Sequence, residues 1–202
     1  MDDPTPQPPT RRYTLEGERV ALATLRREDV PTMHAWFSDL EYSALLGQSG
    51  FAPTVEDEGA WFEANAKASQ SQVQFGIFER VTGRHVGNCG LFDIGRNGTA
   101  TLGIGLGEPD ARGRGYGTEA VRLLVEYGMF FRDLFSIKLE CASINEPGLR
   151  AYLKAGFREV GRLRGAFLVG NERCDRVIMD ITRDEVDLSR MRGTVGLLGT
   201  RT

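Results

Sequence analysis

The stretch Leu102-Gly103-Ile104-Gly105-Leu106-Gly107-Glu108-Pro109-Asp110-Ala111-Arg112-Gly113-Arg114-Gly115-Tyr116-Gly117-Thr118 decides how this chain is read. Glycines at 113, 115 and 117 let the backbone turn tightly and aim successive N–H groups into one concavity. A helix is expected to start directly afterwards, from about Thr118 to Phe131, so its unpaired N–H groups and positive dipole end face the same spot. That combination suits a pyrophosphate cradled by Gly113, Gly115, Tyr116, Gly117 and Thr118, with Arg112 and Arg114 adding charge-assisted contacts. A P-loop requires Lys and then Ser or Thr after its last glycine, and here Thr-Glu-Ala follows. A dinucleotide fingerprint belongs early, on a parallel strand–helix–strand unit, whereas this loop follows an antiparallel strand in mid-chain. Neither alternative fits.

The first half of the stretch alternates Leu102, Ile104 and Leu106 with Gly103, Gly105 and Gly107. Three glycines on one strand face expose backbone, which is unfavourable unless something approaches closely. Two tenants satisfy that condition. One is an extended ligand arm, hydrogen-bonded along Ile104 and Leu106 like an extra strand. The other is a helix packed tightly on the sheet.

Working outward, periods of two and 3.6 alternate. Strands are expected at Arg19–Leu25, Val73–Glu79, His85–Ile94, Ala100–Gly107, Ile137–Ile144, Glu159–Leu168 and Cys174–Ile181. Thr82-Gly83 and Asn97-Gly98 mark the turns of a meander. Helices are expected over 28–39, after the Thr54 N-cap with its acidic Glu56-Asp57-Glu58 turn, in the stretch already described, and over about Pro147–Ala155. This order predicts an α+β fold, with a mixed, mostly antiparallel sheet of about seven strands flanked by about four helices. Residues 14–185 are expected to form a single domain. Residues 1–13, with four prolines between positions 4 and 9, read as a disordered tail. Residues 186–202, with Val195, Leu197 and Leu198, read as an extension that docks on the body or on a second subunit.

Composition narrows the function classes. The 202 residues are 41% hydrophobic and 26% charged, which is globular rather than disordered. A net charge of -3 provides no field to hold a nucleic acid. No apolar run approaches the about 20 residues of a membrane span, and the N-terminus lacks the pattern of a secretory signal. Cys89, Cys141 and Cys174 are widely separated, with no CxxC and only His34 and His85 to join them. They predict neither a metal site nor a disulfide framework, and they suit a reducing, cytoplasmic compartment.

Two motifs together resemble a known family. Arg112-x-x-Gly115-x-Gly117 resembles the acetyl-CoA pyrophosphate loop of the GNAT superfamily of N-acetyltransferases. Some thirty residues on, Asn145-Glu146-Pro147-Gly148-Leu149-Arg150-Ala151-Tyr152-Leu153-Lys154-Ala155-Gly156-Phe157 is similar to that superfamily's second motif. Gly148 departs from its usual Ser or Ala. The segment Glu18-Arg19-Val20 to Leu25-Arg26, with Trp36, Asp39 and Glu41, resembles the RimJ/RimL-type branch. The likeness covers about residues 14–185.

The resemblance implies acetyl transfer from acetyl-CoA, as co-substrate and without a metal, to a primary amine on a small molecule or a protein N-terminus. It assigns Tyr152 as general acid to the departing thiolate, and a phenol of pKa about 10 is protonated at pH 7. It assigns Glu140 as the base acting through water, although Glu140 also reads as a strand residue paired with an arginine. Glu108 is the second candidate, and the resemblance also admits ordered waters with no dedicated base. Asn145 is expected to cap its helix and touch the pantetheine arm, and Lys154 either reaches the phosphates or is solvated. The family's habits admit a homodimer. Glu28, Asp29, Asp39, Glu41, Glu56, Asp57 and Glu58 are acids available to a cationic acceptor. Trp36, Phe37, Tyr42, Phe51 and Trp61 offer aromatic walls, with Trp36 and Trp61 mostly core. A module of the same fold that binds acyl-CoA without catalysis is the alternative.

Overall fold

The computed structural model describes residues 11–65 and 69–194. Among them an eight-stranded mixed sheet carries helices on both faces. In chain order the strands are β1 (Leu15–Glu16), β2 (Val20–Ala23), β3 (Val73–Glu79), β4 (His85–Phe92), β5 (Thr99–Leu106), β6 (Ser136–Ala142), β7 (Arg158–Val169) and β8 (Glu172–Thr182). Their spatial order is β1-β2-β3-β4-β5-β6-β8-β7, antiparallel throughout except for the β5–β6 pair. The helices are α1 (Val30–Trp36), α2 (Leu40–Leu45), α3 (Val55–Asn65), α4 (Tyr116–Phe131), α5 (Glu146–Ala155) and α6 (Ser189–Thr194).

One face of the sheet holds the main core. Cys89, Leu91, Leu102, Ile137, Leu139, Cys141, Val177 and Met179 pack there against Ala120, Leu123 and Leu124 of α4, with Tyr152 of α5 at the margin. The opposite face carries the smaller cluster of Met33, Trp36 and Tyr42 from α1 and α2. Alternation along β5 therefore sends Leu102 to the main core and the three strand glycines to the α1–α2 side. A Cβ on Gly105 would lie 2.9 Å from the Tyr42 hydroxyl, and one on Gly107 would lie 1.9 Å from Trp36 Cδ2. The tenant of the glycine face is thus the aromatic side of α1 and α2.

The N-terminal end differs from expectation. Arg11 and Tyr13, assigned to the tail, are tied down. Arg11 donates to the Thr24 carbonyl at 3.0 Å and pairs with Asp29 at 2.6 Å, and Tyr13 packs beside Phe78. Residues 1–10 lie outside the described residues. At the other end Leu188 and Met191 are buried in the main core, and Arg190 bonds Glu126 at 2.9 Å, so this part of the extension docks on the body. Val195, Leu197 and Leu198 lie outside the described residues.

Candidate active site

β5 and β6 pair only at Thr99↔Ser136, Ala100↔Ile137 and Thr101↔Lys138. Beyond Thr101, β5 stays with β4 and β6 stays with β8, so the two strands part. The Gly107 N–H donates to the Val86 carbonyl on the β4 side. By strand alternation, the backbone groups of Leu102, Ile104 and Leu106 then face the gap. Ile104 and Leu106 are the two strand residues expected to hold an extended arm.

The glycine loop lies at the wide end of this gap. Gly113 (φ +74°) and Gly115 (φ +83°) are left-handed, and Gly115 occupies the N-cap of α4 without a side-chain cap. The first backbone bond of the helix runs from the Glu119 N–H to the Gly115 carbonyl, which leaves the N–H groups of Tyr116, Gly117 and Thr118 without helical partners. The 16-residue helix adds its dipole to them. Arg114 is half exposed beside the loop, 3.2 Å from Glu79, with its guanidinium 5.0 Å from the centre of the Tyr116 ring. The Tyr116 ring is buried and its hydroxyl donates to Glu79, so only its backbone is offered to an anion. Thr118 Oγ1 lies 3.5 Å from the Ala151 carbonyl, on the α5 side.

The side chain of Arg112 departs from expectation. It is the last extended residue before the turn (φ −72°, ψ 150°), and its guanidinium is committed elsewhere. Nη2 donates to Asp39 at 2.7 Å and Nε to the Leu106 carbonyl at 3.2 Å. Asp39 in turn caps α2, accepting from the N–H groups of Glu41 and Tyr42. Burial pushes the Asp39 carboxyl up, but the Arg112 hydrogen bond and these N–H groups outweigh it and hold the pKa below its ordinary value. A depressed carboxylate contributes stability that is present above its unfolded pKa and is lost as pH falls through the folded one. Arg112→Ala should therefore lower unfolding free energy by about 1–2 kcal/mol at pH 7, and by less near pH 3. Urea titrations at the two pH values check this, and equal losses at both would refute the clamp.

Tyr152 lies on α5, whose N-cap is Asn145. The Asn145 Oδ1 accepts from the Gly148 N–H at 3.0 Å, as the sequence predicts. Burial, reinforced by Cys141, raises the Tyr152 phenol above its ordinary range, so it is fully protonated at neutral pH. No hydrogen bond holds the Tyr152 hydroxyl among the described residues, which leaves its proton available. Burial also pushes the Cys141 thiol up to about 11, which removes it as a nucleophile. The Lys154 side chain is exposed.

The two carboxylates considered as bases are both engaged. Glu140 alternates with the buried Leu139 and Cys141, so it points to the α1–α2 face of the sheet. There its Oε2 accepts from Arg176 at 2.9 Å, and Oε1 lies 3.7 Å from Lys138. Glu108 Oε1 accepts from the Trp36 indole N–H at 2.8 Å.

On the α1–α2 face a cavity of about 320 Å³ opens against β4 and β5. Gly90, Gly103, Ile104 and Gly105 lie along its sheet side, and Phe37, Tyr42, Phe51, Trp61 and Phe92 are among its aromatic walls. Trp61 is not core, because 37% of it is exposed. Among the described residues the lining holds two acids, Asp57 and Glu58, and no lysine or arginine. A larger cleft of about 730 Å³ lies beside the loop, but its Arg19, Arg84 and Arg114 are matched by Glu18, Glu79 and Asp110. Arg19, which reaches over Gly115, carried no sequence signal as a site residue.

Comparisons with known proteins agree with this geometry. Residues 19–158 match the model of the acetyltransferase (GNAT) domain. The chain is 28% identical over 153 residues to the uncharacterized N-acetyltransferase p20 of Bacillus licheniformis, covering 75% of this chain and 85% of that protein. It is 30% identical over 160 residues to human alpha/beta-tubulin-N-acetyltransferase 9, covering 72% and 75%. Among solved structures, a GNAT-family acetyltransferase from Bacillus anthracis superposes with a TM-score of 0.74 at 23% identity, covering 85% of this chain and 99% of that one. Spermidine N-acetyltransferase from Vibrio cholerae, solved with CoA and spermine, superposes with a TM-score of 0.76 at 18% identity, covering 84% and 98%.

Proposed function

Because the chain belongs to the GNAT acetyltransferase family, we propose that it transfers an acetyl group from acetyl-CoA to a primary amine by direct attack in a ternary complex. One observation carries this reading: the parting of β5 from β6 opens a backbone-lined gap between the α4 N-terminus and the α5 that bears Tyr152. The uncapped N–H groups of residues 116–118, with Arg114 beside them, hold the pyrophosphate. The backbone of Ile104 and the Leu106 N–H pair with the extended arm, the Leu106 carbonyl being held by Arg112. Bound acetyl-CoA supplies the activated thioester. Tyr152 gives its hydroxyl proton to the departing sulfur, and the amine enters from the cavity on the opposite face. Lys154, exposed at the end of α5, stays close enough to solvent to meet the nucleotide phosphates.

Glu140 holds a smaller share of the chemistry than the resemblance alone gives it. Its oxygens are taken up by Arg176 at 2.9 Å and Lys138 at 3.7 Å, and it is absent from the cavity lining. Glu140→Gln should change turnover by less than about threefold, since one side of a half-exposed pair is lost. A fall of two orders of magnitude in steady-state rate would restore Glu140 as the base.

On Trp36, Asp39 and Glu41 we place the chain in the RimJ/RimL-like branch, and on its three free thiols we place it in the cytoplasm. The direct test is thiol release from acetyl-CoA with polyamines, aminoglycosides, amino acids and short peptides. Turnover of any class supports transfer. Silence across the panel, with acetyl-CoA still raising the melting temperature, supports a module that binds acyl-CoA without catalysis. Silence with no thermal shift overturns the pyrophosphate loop.

A further inference from the structure

We propose that Glu58 seats the acceptor's ammonium and takes its proton, and that the acceptor carries a single ammonium on an apolar, ring-sized stem; this rests on the acetyltransferase reading above. Glu58 is 7% exposed, yet no hydrogen bond or ion pair reaches its carboxylate among the described residues. A carboxylate largely withdrawn from bulk water, with no protein partner among the described residues and the cavity before it, gains from an arriving cation. Asp57, the other acid of the cavity, is already satisfied, because its Oδ2 accepts from the Thr54 N–H and hydroxyl at 2.9 Å each.

The groups facing Glu58 leave the position open to a ligand. From α1 comes His34, whose Nε2 is 3.0 Å from the Pro53 carbonyl and whose charge, when present, favours the carboxylate. From α2 comes Tyr42, raised far above its ordinary pKa by burial and by Glu58 itself, and so neutral. Asp57 is the adjacent charge on α3. Burial raises Glu58 above the usual carboxylate range, with His34 opposing, which brings it nearer the pKa that suits a base at neutral pH.

The neighbourhood also sets the acceptor's shape. One unpaired acid neutralises one cation. The walls beyond it are Phe37, Phe51, Trp61 and Phe92, which take an apolar stem, and about 320 Å³ is at the small end of ligand cavities. The cavity runs along β5, whose other edge borders the gap, and in this proposal the amine passes from Glu58 to the thioester across that strand. The ammonium nitrogen gives one proton to a Glu58 oxygen, and its lone pair forms the C–N bond at the thioester carbonyl carbon. The C–S bond then breaks, and sulfur takes the Tyr152 proton. The second nitrogen proton restores Tyr152 through solvent and Glu58 releases its own, for a net loss of one proton.

The test compares wild type with Glu58→Gln, which keeps the shape. Wild type should turn over 2-phenylethylamine at least about tenfold faster than spermidine. In Glu58→Gln, turnover should fall about 10²–10³-fold with acetyl-CoA affinity unchanged. A raised folded pKa means that ionised Glu58 destabilises the fold. The variant should therefore melt roughly 2–4 °C higher at pH 8, with the gain disappearing near pH 4. A merely structural glutamate would not couple a higher melting point to lost turnover. Wild-type turnover in the variant, or a preference for spermidine, overturns the proposal. If wild type acetylates nothing, the transfer reading fails separately, and Glu58 is judged by the thermal shift that 2-phenylethylamine gives the CoA-loaded protein. A shift lost in Glu58→Gln upholds the ammonium seat, and no shift in wild type overturns it.

Discussion

Tyr152→Phe should lower turnover about 10²–10³-fold while leaving acetyl-CoA affinity within about twofold. The separation follows from what the side chain does. Its ring packs against the main core and lies 6.3 Å from the Phe157 ring, contacts that phenylalanine keeps. Its hydroxyl bonds nothing among the described residues, so removing it leaves no orphaned partner and the melting temperature should hold. What disappears is a proton donor. A generic thiolate, with a conjugate acid near pKa 8.5, is then expelled without protonation. Because the phenol is pushed above its ordinary range, wild-type turnover should also show no loss attributable to Tyr152 ionisation up to pH 10. Single-turnover rates measured beside equilibrium binding separate the two quantities. Unchanged turnover would remove Tyr152 from the chemistry.

The largest effect on stability is expected at Gly107. A methyl there would stand 1.9 Å from Trp36 Cδ2 and 2.1 Å from Cγ. Trp36 has no room to move. It is 4% exposed, its indole N–H is held by Glu108 at 2.8 Å, and its ring meets His85 edge-on at 4.9 Å. Gly107→Ala should therefore destabilise the protein by about 3 kcal/mol or more, at or beyond the upper end for overpacking. Gly117→Ala is the control, since its new methyl meets only Leu106 Cδ1 at 3.6 Å and should change stability by less than about 1 kcal/mol. Equal denaturation midpoints for the two variants would mean that α1 does not pack as described.

Much of the frame is legible in the order of the residues alone. Val73–Glu79 has the bounds that alternation assigns it, and Asn145 caps α5 as its side chain chemistry predicts. The misses share a physical cause, which is dependence on distant partners. α2 is six residues with a cap, Asp39, that is itself oriented by Arg112 from the glycine loop, and no local pattern announces that pairing. β1 is two residues long, and α6 depends on burying Met191 against α4.

The site is legible in the same uneven way. The loop glycines, Asn145 and Tyr152 stand out as motif residues, whereas Glu58 is one of seven acids near the expected groove. A signal for it existed. Glu58 precedes Phe62 by four residues and Asn65 by seven, which puts a carboxylate on the inward stripe of α3. Spacing shows the stripe but not that, among the described residues, no lysine or arginine comes to meet it. Arg112 is the converse case, a motif arginine whose partner is fixed by packing.

The short β5–β6 ladder has one more consequence. An ordinary open sheet has two rims, whereas this one has four, because past Thr101 and Lys138 two strands in its middle run without each other. A bare rim invites any passing chain to add itself, with fibre growth as the hazard. Here the inner rims face each other across a slot, with α4 and α5 on one side of the sheet and the aromatic side chains of α1 and α2 on the other. Flanked on both sides, the slot suits a slim, unbranched strand-mimic better than the alternating side chains of a polypeptide. Shielding against self-association and selection for a thin ligand are thus the same piece of architecture.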